Sequence, residues 1–328
     1  IPALPIGEDA KASLREDLDK IEHYLRTDFV RKGTGGIAVF SCSARDFFKM
    51  FPLKASVRDR IVMKRSFFVR PLTLILDDFK RCIVVLIDRS KARIFEAHLG
   101  EMLTYIEITD QVPGFVKEGG FQGRDQKRIE RHIDDLVQKH YRKVARQLLE
   151  LFKTNRFERL ILGGTPEVLG EFERQLHSYL RESVKGRFAI ESNAPIIEIF
   201  EKSKALAEQL ERQSEQELVG ELLDKLWPQG RGTLGIDATV EALMRGEVYA
   251  LLVAAGFSRE GYTCRDCGYM SLREKTCLLC ETDMEPVSDI ADEMILEAVR
   301  QRARVHHITG VPEFVGKWGV GSVLRFRM

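Results

Sequence analysis

Two cysteine pairs constrain this chain more than any other feature. Cys264-Arg265-Asp266-Cys267 and Cys277-Leu278-Leu279-Cys280 are separated by nine residues. A Cys-x-x-Cys turn aims two thiolates at one point, and two such turns complete a tetrahedral sulfur site. The stretch 262–286 carries few apolar side chains, so without an ion it has little to fold around. The spacing favours structural zinc; a redox dithiol or an iron–sulfur cluster is chemically compatible with the same cysteines. Four thiolates fill the coordination shell and leave no open position for a substrate. Gly268, after the second cysteine, eases the tight turn. With four of the six cysteines placed here, the chain suits a reducing cytoplasm better than a disulfide framework.

The 328 residues, 44% hydrophobic and 31% charged, suffice for two or three domains with sizeable cores. No apolar run approaches the ~20 residues of a spanning helix, and neither a signal peptide nor a membrane partner is expected. Net charge is only +1, so a nucleic-acid surface has to come from segregated charge. Residues 45–70 hold eight basic residues against Asp46 and Asp59, a net charge of +6. Residues 201–224 hold seven acidic residues against Lys202, Lys204 and Arg212, a net charge of −4. Such blocks are ordinarily solvated faces, but together they also suit binding a polyanion on one side only.

Read in order, Ser13–Phe29 has the spacing of an amphipathic helix, broken at Gly33 to Gly36. Ile37–Cys42 reads as a buried strand, followed by irregular basic sequence through Pro71 and a short helix over Leu72–Phe79. Cys82–Asp88, Ala92–His98 and Met102–Ile108 are three consecutive strands joined by hairpin-length connections. A basic helix follows, then a strand at Arg159–Leu162, a helix from Pro166 to Tyr179 and a strand at Arg187–Glu191. Pro195–Leu226 is helical and acidic. Beyond it, helices at Gly235–Arg245 and Ile290–Arg304 alternate with strands at Glu247–Ala254, Val305–Ile308 and Val320–Met328. This order predicts a multidomain α/β chain: an α+β domain over 1–77, a mixed-sheet domain over 78–194, and an α/β/α sandwich over 195–328 with the cysteine minidomain inserted.

The basic helix is preceded by Gly119-Gly120-Phe121-Gln122-Gly123, and it carries Arg124, Lys127, Arg128 and Arg131 in its first turns. Glycine lets a backbone approach a partner closely, and four cations just beyond it suit RNA phosphates. A Gly-Gly loop before a helix is also commonly a plain turn. His132 and His140 lie on the same helix, better placed to pair with phosphates or neighbouring acids than to act as general bases.

Taken together, these parts resemble the archaeal and eukaryotic class-one peptide-chain release factor and Pelota superfamily, with its bacterial members. The likeness is carried by Val84-Val85-Leu86-Ile87-Asp88-Arg89 with Ala92-Arg93-Ile94-Phe95, by the Gly119–Gln122 loop with its helix, and by Gly235, Val240–Val248 and Phe314–Phe326. It covers about residues 80–328, while 1–77 resembles the bacterial members alone. The resemblance implies a ribonuclease H-like middle domain and a cytoplasmic factor that occupies the tRNA site of the ribosome. Its partners would be ribosomal RNA, peptidyl-tRNA and an elongation-factor-like GTPase. Gly119, Gly120 and Gln122 would then catalyse hydrolysis of the peptidyl-tRNA ester. Two departures qualify that expectation. The loop is Gly-Gly-Phe-Gln, one residue longer than the family's Gly-Gly-Gln, and no Asn-Ile-Lys-Ser element for reading stop codons is present. The alternatives are a non-catalytic Pelota-like rescue or hibernation factor, and a zinc-containing nucleic-acid-binding module acting away from ribosomes.

Overall fold

In the computed structural model the described residues are 7–30, 35–53, 57, 59–64, 66–78, 82–98, 101–113, 123–154, 157–226 and 230–325. They form two compact units, Ile1–Pro71 and Leu72–Met328.

The first unit opens with α1 (Glu8–Thr27), followed by an antiparallel hairpin of β1 (Gly36–Cys42) and β2 (Phe47–Leu53). The sequence reading has irregular chain where β2 lies. The strand forms because Phe47, Lys49 and Phe51 alternate with Phe48, Met50 and Pro52, a period of two that sends the sets to opposite faces. The α1 helix packs on the Phe48 face: Tyr24 and Phe48 rings stand 5.7 Å apart. Buried Asp17 accepts hydrogen bonds from Ser41 Oγ (2.5 Å), Ser43 N (2.7 Å) and Ser43 Oγ (2.8 Å), tying helix to hairpin.

Helix α2 (Arg70–Asp78) leads to β3 (Cys82–Ile87), β4 (Lys91–His98) and β5 (Glu101–Thr109). Next come α3 (Gly123–Thr154), β6 (Arg159–Gly164), α4 (Pro166–Gln175), α5 (Ser178–Ser183) and β7 (Val184–Ala189). The sheet order is β5-β4-β3-β6-β7, antiparallel among the first three strands and parallel among β3, β6 and β7. All six residues of β3 are buried, as a central strand covered on both faces requires. On one face, Ile83, Val85 and Ile87 pack with Ile133, Val137, Tyr141, Val144 and Leu148 of α3. On the other, Val84, Leu86 and Ile161 pack against α6 (Ile196–Leu226) through Ile199 and Leu206.

Two expectations for this part of the chain differ. The single helix expected over 166–179 is two, because Leu176 and His177 are extended; that break lets Leu176 and Leu180 both enter the core. The last strand of this sheet starts at Val184, ahead of Arg187.

The 31-residue α6 continues to a second sheet made of β8 (Gly232–Leu234), β9 (Val248–Ala254), β13 (Arg304–Ile308) and β14 (Val320–Leu324), in the order β13-β9-β14-β8. Val219 and Leu222 of α6 meet Ala250, Leu252, Ala254, Ile308 and Val323 on one face. Helices α7 (Ile236–Met244) and α8 (Ile290–Arg300) also pack on this sheet. The edge strand β8 went unread because three residues are too few to show a period. Between β9 and α8 the chain forms the cysteine minidomain, a small sheet of β10 (Gly261–Thr263), β11 (Met270–Ser271) and β12 (Glu285–Val287) in the order β11-β10-β12.

Candidate functional site

The cysteine minidomain is built from two turns that repeat one hydrogen-bond plan. In the first, Cys264 N donates to Tyr269 O (2.8 Å) and Gly268 N donates to Cys264 O (3.1 Å). In the second, Cys277 N donates to Thr282 O (2.8 Å) and Glu281 N donates to Cys277 O (2.9 Å). The residue after each second cysteine is left-handed: Gly268 at φ +76° and Glu281 at φ +56°. The two turns face each other, and the four sulfurs lie within 4.8 Å of one another. Cys264 and Cys277 are buried while Cys267 is exposed. Around them the apolar core amounts to Met284 with partly buried Tyr262 and Tyr269.

Crowding four thiols also splits their acidities. Cys264 is lowered to about 6, first by a hydrogen bond from the Cys267 backbone. Cys280 is pushed up to about 12, first by the Cys267 sulfur beside it and then by burial. One thiolate forms readily and further negative charge is opposed, so holding all four as thiolates calls for a cation at the centre. This set of four soft sulfur donors, within 4.8 Å of one another, fits a metal such as zinc with no coordination position to spare.

Helix α3 supplies the second candidate surface. Ile133, Val137, Tyr141, Val144 and Leu148 recur every three or four residues and are buried, which fixes the opposite face to solvent. Arg128 and Arg131 are exposed on that face, as are Lys139, Arg142 and Arg146. Exposed Glu130, Asp134 and Asp135 interleave with them, and Asp134 lies 3.4 Å from Arg89, so the face is less uniformly cationic than the basic residues alone suggest. Arg124 and Lys127 lie in the first turns of α3. Gly119, Gly120 and Gln122 fall outside the described residues.

The two helix histidines separate. His132 is exposed. His140 is buried, with Nδ1 2.7 Å from Asp110 Oδ2, and its Nε2 is buried without a hydrogen-bond partner among the described residues. A ring enclosed this way lacks the access a general base needs. Lys143 Nζ donates to Asp110 Oδ1 at 2.6 Å. That bond first, and the His140 bond second, hold the Asp110 carboxyl below its usual range. Sequence reading missed Asp110: no motif marks an acid separated from its partners by 30 and 33 residues. It missed Glu215 as well, a buried α6 carboxylate that accepts from Thr309 N (2.8 Å), Thr309 Oγ1 (2.7 Å) and Gly310 N (2.5 Å). That clamp fixes the turn after β13.

A basic helix on a mixed sheet, joined by one long helix to a second sheet with a cysteine minidomain, is the set of parts the sequence resemblance called for. Over part of its length the chain is similar to proteins of the class-one release factor and Pelota superfamily. Residues 68–209 match the model of bacterial archaeo-eukaryotic release factor family 10. Peptide chain release factor subunit 1 of Methanocaldococcus jannaschii is 30% identical over 223 residues, covering 64% of this chain and 52% of the relative. Its counterpart in Methanosphaera stadtmanae is 23% identical over 291 residues, covering 80% of this chain and 69% of the relative. The chain thus spans about half the length of several curated relatives it matches. Among solved structures, Saccharomyces cerevisiae Dom34, a translation termination-like factor, superposes with a TM-score of 0.49 at 12% identity, over 89% of this chain and 79% of that one. Archaeal Pelota, from a model of ribosome-bound Pelota and ABCE1, gives 0.47 at 16% identity, over 75% and 62%. With both scores below 0.5, the similarity rests on the sequence matches. Among the described residues no helix is long and apolar enough to cross a membrane.

Proposed function

We propose that this protein is a cytoplasmic, ribosome-associated release or rescue factor that occupies the tRNA site and frees stalled peptides without reading stop codons. The observation that carries this reading is the release-factor match over residues 68–209, which includes both the Gly-Gly-Phe-Gln loop and α3. In this reading the mixed sheet is a ribonuclease H-like middle domain over 78–194, and residues 195–328 are an α/β/α domain carrying a structural zinc ribbon at 262–286. Arg124, Lys127, Arg128 and Arg131 hold RNA phosphates, and the loop ahead of them reaches the ester joining peptide to tRNA. Water attacks the ester carbonyl, the carbon–oxygen bond to the ribose breaks, and the tRNA hydroxyl leaves with a proton. Backbone N–H groups of Gly119 and Gly120 would stabilise the developing oxyanion, and the Gln122 amide would position the water. Ribosomal RNA completes the site, and an elongation-factor-like GTPase delivers the factor.

Phe121 favours a second reading, a non-catalytic Pelota-like rescue or hibernation factor, because one extra residue displaces the amide from the ester. Peptide release from stalled ribosomes separates the two. On the first reading the wild type releases peptide, and Gln122→Ala abolishes release while retaining binding. Ribosome binding without release at saturating protein refutes the catalytic reading and supports the second. Failure to co-sediment with ribosomes from extract refutes both, leaving the zinc-containing nucleic-acid module.

A further inference from the structure

The first unit carries an open aromatic face that the reading above does not use. The register of the hairpin places Phe40 opposite Lys49, Ala38 opposite Phe51 and Cys42 opposite Phe47. Alternation therefore collects Phe40, Phe47, Phe51 and Lys49 on one face. Helix α1 occupies the other face, through Tyr24 against Phe48 and Asp17 against Ser41. Phe67 returns to the first face, with its ring 5.2 Å from Phe40 and 5.0 Å from Phe47, while Phe51 stands 6.0 Å from Phe40. Phe51 is 46% exposed and Phe67 40%.

Four phenylalanines linked ring to ring in a chain from Phe51 through Phe40 and Phe67 to Phe47 would ordinarily be a core. Here, among the described residues, no hydrophobic side chain of the unit is fully buried. The surroundings are cationic. Lys49 and Arg45 are exposed, and Arg60 and Lys64 lie over the Phe68 ring at 5.5 and 5.7 Å. The segment 45–70 bears a net charge of +6 on a chain whose total is +1. An apolar protein partner would be repelled by no charge and attracted by none, whereas this combination selects a polyanion with flat apolar groups. Exposed sheet aromatics stack unpaired bases while lysine and arginine track the phosphates.

We infer that the first unit binds single-stranded RNA, with bases stacked on Phe51 and Phe67 and phosphates held by Lys49 and Arg45. This surface is independent of α3 and of the Gly-rich loop, so it can hold whether or not the protein hydrolyses peptidyl-tRNA.

The test is fluorescence anisotropy of the full chain with labelled oligouridylate, oligoadenylate and an RNA duplex, at several salt concentrations. The measurements are made in an Arg128→Glu/Arg131→Glu background so that binding through α3 does not mask the hairpin. Single strands should bind more tightly than the duplex. Phe51→Ala and Phe51→Leu should each weaken single-strand binding about 5- to 100-fold, and Phe51→Trp should restore it. Lys49→Ala should lower the salt slope by about 0.7, whereas Phe51→Ala should leave the slope unchanged. Equal affinity for duplex and single strand would overturn the inference. So would retained binding in both Phe51→Ala and Phe67→Ala. Full binding by Phe51→Leu would show apolar docking without stacking, and a wild-type dimer split by Phe51→Ala would assign the face to a second copy; either result refutes the proposal. Phe51→Trp keeps the test decisive should the alanine variants unfold.

Discussion

Exchanging one residue between the two cysteine turns should redistribute the stability of the minidomain in a calculable way. Gly268 and Glu281 occupy the same position in the repeated plan, both left-handed, at φ +76° and +56°. An L-residue with a Cβ is disfavoured there by about 1–2 kcal/mol, whereas glycine carries only its extra unfolded-state entropy, about 0.5–1 kcal/mol. Glu281→Gly should therefore stabilise the turn by roughly 0.5–1 kcal/mol. Gly268→Ala should cost about 1 kcal/mol, and that cost is purely backbone, because an added Cβ meets nothing within 4 Å. On the structural-zinc reading so small a core folds only with its ion, folding and binding are then one equilibrium, and 1 kcal/mol is about a fivefold change in metal dissociation constant. Competition for zinc between the full-length protein and a chromophoric chelator reads this directly. Glu281→Gly should bind up to about fivefold more tightly and Gly268→Ala about fivefold more weakly, with the double variant near wild type. If Glu281→Gly weakens metal binding, or Gly268→Ala leaves it unchanged, the claim that left-handed geometry limits this fold is wrong.

Asp17→Ala removes the shared acceptor of Ser41 and Ser43 and should destabilise the first unit by about 2–3 kcal/mol; hydrogen exchange should show faster opening of 36–53 with α3 unchanged. Asp110 has a depressed carboxyl pKa, so the stability it contributes is present above the unfolded value of about 3.9 and is lost as pH falls through its folded value. Urea unfolding across the acid range should accordingly show Asp110→Asn weaker than wild type near neutrality, with the gap closing as pH drops below the usual carboxylate range. Changing Cys264→Ser and Cys280→Ser together should release metal and unfold 262–286 while the five-stranded sheet keeps its exchange protection. Arg128→Glu/Arg131→Glu should lower ribosome or tRNA affinity and flatten its salt dependence by up to about two phosphate equivalents; an unchanged slope would remove α3 from the RNA interface.

The sequence alone determined whatever depends on near neighbours. Cysteine spacing marked the four sulfurs that the fold brings together, because both turns close within a few residues. Unbroken apolar runs gave β3 and β6, and helical periodicity gave α3, because each pattern repeats several times within one element. Where a pattern was short or interrupted, reading failed: β8 has three residues, and the alternation of β2 was hidden by an apolar residue at most positions. Only tertiary structure decided that Asp110 would meet His140 and Lys143, that Glu215 would hold Thr309 and Gly310, and that Phe67 would return onto the face of Phe40. Those contacts join residues from 27 positions apart, Phe40 with Phe67, to 95 positions apart, Glu215 with Gly310. Nothing in the composition of either segment records its partner. The physical reason is that hydrogen bonding and ring packing require the two groups to be brought within a few ångströms, and only the folding of the intervening chain fixes that distance.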